Sequence, residues 1–131
     1  MAITKRPTSP HLQIYKWGGH MLLSILHRAT GVALGAGTLL LVWWLVALAT
    51  GPDDYALFQT YMRSIVGKIV LLGFTAALML HLCNGIRHLF WDKGLGLDVE
   101  TTQRTNILVF LGMIILTLLS WAIGYGLVQG V

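Results

Sequence analysis

The stretch that decides the fold is residues 29–52, ATGVALGAGTLLLVWWLVALATGP. This stretch between Arg28 and Asp53 contains no acid and no base. A helix needs about 20 apolar residues to cross the hydrocarbon core of a bilayer, and backbone polar groups in lipid must be satisfied within the segment. The stretch therefore predicts a membrane-spanning α-helix.

Two further runs repeat this pattern. The run between Lys68 and Arg87 contains no charged side chain and one histidine, and the chain after Arg104 contains no charge. The sequence thus predicts an all-α membrane protein with three transmembrane helices, which joins other subunits in a helix bundle. The predicted helices cover about residues 21–49, 63–90 and 104–128.

Composition limits the class of protein. Hydrophobic residues make up 56% of the 131-residue chain and charged residues only 11%, whereas a soluble domain carries about 25% charged residues. This excludes an ordinary soluble enzyme, a disordered chain and a basic nucleic-acid binder. We expect one transmembrane anchor domain over residues 1–131, with an interfacial segment over 1–20. A single cysteine, Cys83, excludes an internal disulfide, and we expect it to be buried and inert.

The distribution of positive charge predicts the orientation. The first run is too long for a signal-peptide core and a long polar segment precedes it, so we interpret it as a retained helix. Lys and Arg concentrate before the first helix and between the second and third, which predicts that these two segments are cytoplasmic. The lack of a transit peptide favours a bacterial inner membrane over a mitochondrial one. The positive residues concerned are Lys5, Arg6, Lys16, Lys93 and Arg104.

Polar residues at the start of the first helix form one candidate site. Ser24, His27 and Arg28 have helical spacing, and Gly31 and Gly35 continue the same face. One interpretation is structural, with an arginine reaching the headgroups and a serine bonded to its own helix. The other is a donor cluster at the cytoplasmic interface, which would suit the two carbonyl oxygens of a quinone.

A second candidate site lies on the second helix. His81 is within the hydrocarbon, and Gly85 and His88 share its face. An intramembrane histidine can simply bond a neighbouring helix. Alternatively, His81 is an axial haem ligand, Gly85 makes room for the macrocycle, and Arg87 and His88 pair with the propionates. Asp92, which follows His88 by one helical turn, could hydrogen-bond it.

Spacing argues against two iron ligands from this chain. His81 and His88 are about 10.5 Å apart along one helix, and a pair of His27 with His81 is expected to be strained in depth. We therefore expect a second axial ligand from another subunit. On the third helix, Thr117, Ser120 and Gly124 have the spacing of a packing seam.

The same residues resemble a known family, the cytochrome b subunit of succinate dehydrogenase (complex II). Residues 24–30, SILHRAT, are similar to its S-x-x-H-R-x-[ST] motif. Residues 81–92, HLCNGIRHLFWD, are similar to its H-x-x-x-G-x-R-H-hydrophobic-x-aromatic-D motif. Residues 6–15, RPTSPHLQIY, resemble the R-P-x-S-P-H-L-x-I-Y opening of alphaproteobacterial and mitochondrial members.

The resemblance implies a role for each matched residue. Ser24 and Arg28 would line the ubiquinone site, with His27 beside it. His81 would be one axial ligand of haem b, which the chain would share with a smaller anchor subunit. The residues near the haem propionates would be His27, Arg28, Arg87 and His88.

The resemblance also implies the partners. Electrons would pass from succinate through a flavoprotein subunit and an iron–sulfur subunit to ubiquinone, and residues 9–15 would lie near the iron–sulfur subunit. This chain has neither a dinucleotide fingerprint nor cluster cysteines, so it would be a non-flavin subunit in contact with lipid. Three alternatives stay open: the anchor of a quinol:fumarate reductase, a haem-free anchor, and a small transporter with His81 as proton relay.

Overall fold

The computed structural model describes residues 17–129, which form four helices and no strand. They are α1 (Gly19–Thr50), α2 (Pro52–Arg63), α3 (Ile65–Asp92) and α4 (Val99–Gln129). Three of them, α1, α3 and α4, are long and apolar enough to cross a membrane, so the predicted all-α fold with three transmembrane helices is confirmed. The expected interfacial segment over 1–20 lies outside the described residues except for its last part, from Trp17 onward.

The short helix α2 was not predicted. It begins directly after Gly51, whose φ of 139° belongs to the region that favours glycine. Pro52 takes the first helical position, where its missing N–H costs no hydrogen bond. Asp53 and Asp54 in the first turn and Arg63 in the last both favour the helix dipole. This helix carries charges and lies outside the apolar runs, which is why hydropathy alone misses it.

A one-residue corner joins α2 to α3. The Ser64 hydroxyl accepts from the Gly67 amide at 3.0 Å and donates to the Tyr61 carbonyl at 2.6 Å. A Cβ at Gly67 would come 2.6 Å from the Met62 Cα and would also clash with the Tyr61 carbonyl oxygen. The corner therefore requires glycine. It ends α2 at Arg63 and starts α3 at Ile65, whereas the sequence predicted that the second spanning helix begins at about residue 63.

The connection from α3 to α4 is held by hydrogen bonds. The Gly94 amide donates to the Trp91 carbonyl at 2.8 Å and the Leu95 amide to the Phe90 carbonyl at 3.0 Å. With Gly94 at a φ of 74°, this is a Schellman motif. The Trp91 indole also donates to the Gly96 carbonyl at 3.1 Å, so the loop is fixed to the end of α3.

Helix α4 starts earlier than predicted. The Asp98 carboxylate accepts from the Thr101 amide at 2.8 Å and caps the helix. This bond from the Thr101 amide is the main cause that holds the pKa of Asp98 below its usual range. Glu100 and Arg104 form an ion pair across one turn at 2.6 Å. The helix therefore begins with a charged turn that precedes the apolar run, and the prediction placed its start near residue 104 because it used the apolar run alone.

The bundle is thin. Helix α3 packs between α1 and α4, and Leu23, Leu80 and Val109 form the core with Cys83 half-buried against it. Only 6–11% of each spanning window is buried by the chain itself, so the outer faces must meet lipid or other subunits. The predicted seam on α4 is only partly formed.

That seam has one buried member. Thr117 is buried, whereas Ser120 and Gly124 are exposed, and the Ser120 hydroxyl bonds back to its own helix at Leu116. The three positions therefore do not pack together within the described part of the chain.

Candidate functional site

Three imidazoles from two helices lie together near one end of the bundle. His27 comes from α1, and His81 and His88 come from α3; we call these three the histidine cluster. The His27 and His81 rings are stacked, with centroids 4.0 Å apart and planes 13° from parallel. The His88 ring also lies against His27, with centroids 5.2 Å apart. The two predicted sites therefore meet at a shared set of rings.

The expected mismatch in depth between His27 and His81 is wrong. His27 lies about 12 Å along α1 from Gly19, and His81 lies about 16 Å before Asp92 at the end of α3. Both histidines are thus more than two turns from these helix ends, and their rings meet at 4.0 Å. The two rings consequently stand side by side.

The Thr30 hydroxyl contacts His81 and favours one tautomer of its ring. The Thr30 hydroxyl donates to the His27 carbonyl at 2.9 Å, and its oxygen lies 3.2 Å from Nδ1 of His81. Because the hydroxyl hydrogen is already used, the threonine oxygen accepts from Nδ1–H. This assigns the tautomer in which Nε2 of His81 keeps a free lone pair, the form that binds a metal.

Glycines allow α1 and α3 to approach at the rings. A Cβ on Gly31 would lie 3.3 Å from Cε1 of His81, and a Cβ on Gly85 would lie 4.0 Å from Cε1 of His27. Gly35, the other half of the predicted glycine pair, has open space around it in the described structure. The close approach therefore depends on Gly31, whereas a Cβ at Gly85 would make only an ordinary contact with His27.

The cluster fits one axial haem ligand rather than two. An iron cannot lie between parallel rings at 4.0 Å, since their nitrogens do not converge on one point. Among the described residues no group of three or more His, Cys, Asp or Glu side chains could hold a metal ion. His81 offers a free Nε2, and Nδ1 of His27 is buried without a hydrogen-bond partner in the described structure. Of these two nitrogens, Nε2 of His81 is the one that an external ligand can reach, because Nδ1 of His27 is enclosed by the chain.

Ser24 and Arg28 extend the site toward the outside of the bundle. Ser24 is half-buried and Arg28 is exposed, one helical turn along the same face. Within residues 17–129 the Arg28 guanidinium has no acidic partner. Its charge is therefore available to a ligand or to another subunit.

Arg87 lies on the other side of α3. It is 6% exposed, donates to the Asn106 side chain on α4, and stacks 4.4 Å over the Trp91 ring. Its Nε has no partner in the described structure. The structure thus separates Arg87 from Arg28.

His88 does not use Asp92, contrary to the expectation from their spacing. Its ring packs edge-on against Trp91 with centroids 5.0 Å apart, and Asp92 is exposed. No hydrogen bond joins the two side chains in the described structure. The aromatic contact replaces the expected carboxylate.

Sequence reasoning missed three polar residues. Thr30 was visible in the first motif, but nothing in the sequence indicated its partner. Asn106 is the side chain that receives Arg87. Asn84 is fully buried, and neither atom of its amide has a partner within the described residues. An amide inside an apolar span is the signal that could have identified the last two.

Comparison with known proteins identifies the family of this chain. Residues 3–120 match the family model of the succinate dehydrogenase/fumarate reductase transmembrane subunit. The chain is 43% identical over 115 residues to the succinate dehydrogenase cytochrome b556 subunit of Paracoccus denitrificans, covering 88% of each. It is 48% identical over 117 residues to that of Rickettsia typhi, covering 89% of this chain and 91% of the relative.

A mitochondrial relative is more distant. The cytochrome b560 subunit of succinate dehydrogenase from Sus scrofa is 38% identical over 122 residues, which cover 89% of this chain and 68% of the relative. The family match extends across both histidine-bearing helices. The chain therefore belongs to the family of succinate dehydrogenase/fumarate reductase transmembrane subunits.

Proposed function

We propose that this protein is the membrane anchor of a succinate dehydrogenase, which binds haem b and ubiquinone and completes electron transfer from succinate. It is a multi-pass protein of a bacterial inner membrane, as its three spanning helices and bacterial relatives indicate. The observation that carries the haem assignment is the contact between Thr30 and Nδ1 of His81 at 3.2 Å.

His81 is the proposed axial ligand of the haem iron. A bound haem would supply a one-electron carrier beside the quinone site. The Thr30 hydroxyl orients the imidazole and leaves its Nε2 free to bind the iron. The second ligand is proposed to come from the smaller anchor subunit, because the stacked His27 and His81 rings cannot both reach one iron.

Ser24, His27 and Arg28 are the proposed quinone-binding residues. The Ser24 hydroxyl and the Arg28 guanidinium can donate to a quinone oxygen, and the permanent charge of Arg28 stabilises the negative charge that reduction places there. His27 precedes Arg28 directly, and its imidazole is proposed to hold a proton for the reduced oxygen.

The haem propionates would lie among His27, Arg28, Arg87 and His88. Arg87 is already bound to Asn106, but its unpartnered Nε still offers a donor. His88 lies next to His27. In this proposal His27 and Arg28 approach the propionates from α1 and His88 from α3, while Arg87 lies on the α4 side of α3. Charged donors of this kind favour the binding of carboxylates.

The proposed assembly contains a flavoprotein subunit, an iron–sulfur subunit and a smaller anchor subunit. The charge distribution supports a cytoplasmic N-terminus and a cytoplasmic loop over 93–98. Residues 9–15, proposed to contact the iron–sulfur subunit, lie outside the described residues.

A difference spectrum of the isolated complex tests this function. The tagged chain is purified with its partners in mild detergent, and reduced-minus-oxidised spectra are recorded with succinate and then with dithionite. Haem b bands that appear with succinate are expected. Their absence from an intact complex, or an unchanged spectrum in His81→Leu, would contradict the haem assignment.

A further inference from the structure

A cavity of about 490 Å³ lies far from the histidine cluster, where the end of α2, the start of α3 and the end of α4 meet. We call it the corner cavity. Its rim carries the cations Arg63 and Lys68, and its walls include Leu71, Trp121 and Tyr125. The mechanism proposed above uses none of these residues.

The rim has uncompensated positive charge. Arg63 and Lys68 are both exposed, and neither has an acidic partner in the described part of the chain. Lys68 lies close to the N-terminus of α3, where the helix dipole disfavours a cation, and the first turn of α3 contains no acid. Asp53, at the other end of α2, is about 15 Å away along that helix. An anion bound here would meet two cations and the positive end of a helix.

The depth of the cavity matches a lipid. From Lys68 to Arg87 is about 28 Å along α3, close to the thickness of a hydrocarbon core. Lys68 is therefore at one membrane interface. The cavity extends inward to Thr75, about 10 Å deeper, whose hydroxyl accepts from the Trp121 indole at 3.3 Å. It thus combines a cationic rim at headgroup level with an apolar slot below.

We propose that the corner cavity binds an acidic phospholipid. The headgroup phosphate lies between Arg63 and Lys68, and an acyl chain occupies the slot beside Leu71 and Trp121. Charge complementarity selects the headgroup, and Tyr125, nearer the end of α4, suits an interfacial position. This site does not depend on the haem or quinone assignments.

Photo-crosslinking tests the proposal on the whole complex. The complex is reconstituted in vesicles of equal parts phosphatidylcholine and phosphatidylglycerol, with a photoactivatable group on the acyl chain of one lipid at a time. Labelling by the phosphatidylglycerol probe is expected on peptides that contain residues 68–75 and 120–125. It should fall by about fivefold for each cation removed in Arg63→Gln and Lys68→Gln.

A matched double variant, Lys93→Gln with Arg104→Gln, removes two positive charges at the other membrane face, the number carried by Arg63 and Lys68. It should leave this labelling unchanged. Gel filtration and succinate oxidation with an artificial acceptor confirm that each variant complex is intact. Three results would overturn the proposal. Both lipids could label equally, inorganic phosphate could compete the labelling away, or no labelling could occur because another subunit covers the cavity.

Discussion

The Thr30 hydroxyl connects the two motifs of the sequence at the level of single atoms. It bonds to the His27 carbonyl on its own helix and to Nδ1 of His81 on α3. A hydrogen bond to the far nitrogen of a metal-binding imidazole increases the electron donation of the ligand. Thr30 therefore influences the proposed haem without contacting it.

Replacing Thr30 by valine tests this influence, because valine keeps the shape and removes the hydroxyl. We expect Thr30→Val to retain the haem more weakly, by about tenfold or more, and to raise its reduction potential by on the order of 50 mV. A redox titration of the purified complex measures the potential, and the haem absorbance per mole of complex measures the retention. Thr38→Val is the control, since Thr38 bonds to Gly35 of its own helix. An identical potential in both variants would exclude the role of Thr30.

The Arg28 guanidinium has no acidic partner within residues 17–129, and its proposed role is specific to quinone. We expect Arg28→Ala to reduce succinate:quinone activity by about 100-fold, as for loss of one charge-stabilising donor, while succinate oxidation by an artificial soluble acceptor stays unchanged. Arg28→Lys should recover part of the quinone activity because it restores the charge without the planar donor geometry. A parallel fall of both activities would instead indicate that Arg28 supports assembly.

At this scale, the sequence predicted which side chains share a helix face but not which side chains meet between helices. Helical spacing placed Ser24, His27 and Arg28 together. It could not show that His27 stacks on His81, because that depends on the packing of α1 against α3. Arg87 was grouped with the cluster by its position in the motif, yet Asn106 on α4 binds it.

At the scale of helices, charge-free runs identified the three spanning segments correctly. They could not place the helix ends, because α4 begins before the charges that precede its apolar run. Helix α2 was missed because it is too polar to be identified by hydropathy. The capping residues Asp98 and Ser64 define those ends more closely than hydropathy does. Local hydrogen bonding thus decides where helices begin, and apolar length decides which of them cross.

The cap of α4 predicts a pH dependence. The folded pKa of Asp98 is lowered by the Thr101 amide, so the cap is fully formed above the ordinary aspartate pKa of about 3.9. Its stabilisation is lost as the pH falls through the lower folded pKa. We expect hydrogen exchange over residues 99–104, corrected for intrinsic rates, to accelerate in that acidic range.

Two variants separate the cap from other acid effects. Asp98→Asn keeps a capping oxygen without a titrating group, so its protection should no longer change in the acidic range. Asp98→Ala should exchange faster at every pH. Equal exchange in the wild-type chain and Asp98→Ala at neutral pH would contradict the capping role.

At the scale of the whole molecule, the chain buries little of its own spanning surface, with 6–11% of each window enclosed. The remaining surface meets lipid or the helices of other subunits, and the proposed second haem ligand would come from such a helix. We expect the chain expressed alone to show no six-coordinate haem b spectrum. Co-expression with the smaller anchor subunit should restore it, and a full spectrum from the chain alone would show that both ligands are internal.

The tight connections between helices also limit how the protein can respond to its membrane. Single residues, Gly51 and Ser64, separate α1, α2 and α3, and the Trp91 indole fixes the loop before α4. The helices cannot slide past one another to suit a thicker or thinner bilayer. Since a mismatched bundle adapts mainly by tilting, we expect the histidine cluster to tilt with the whole bundle when lipid composition changes bilayer thickness.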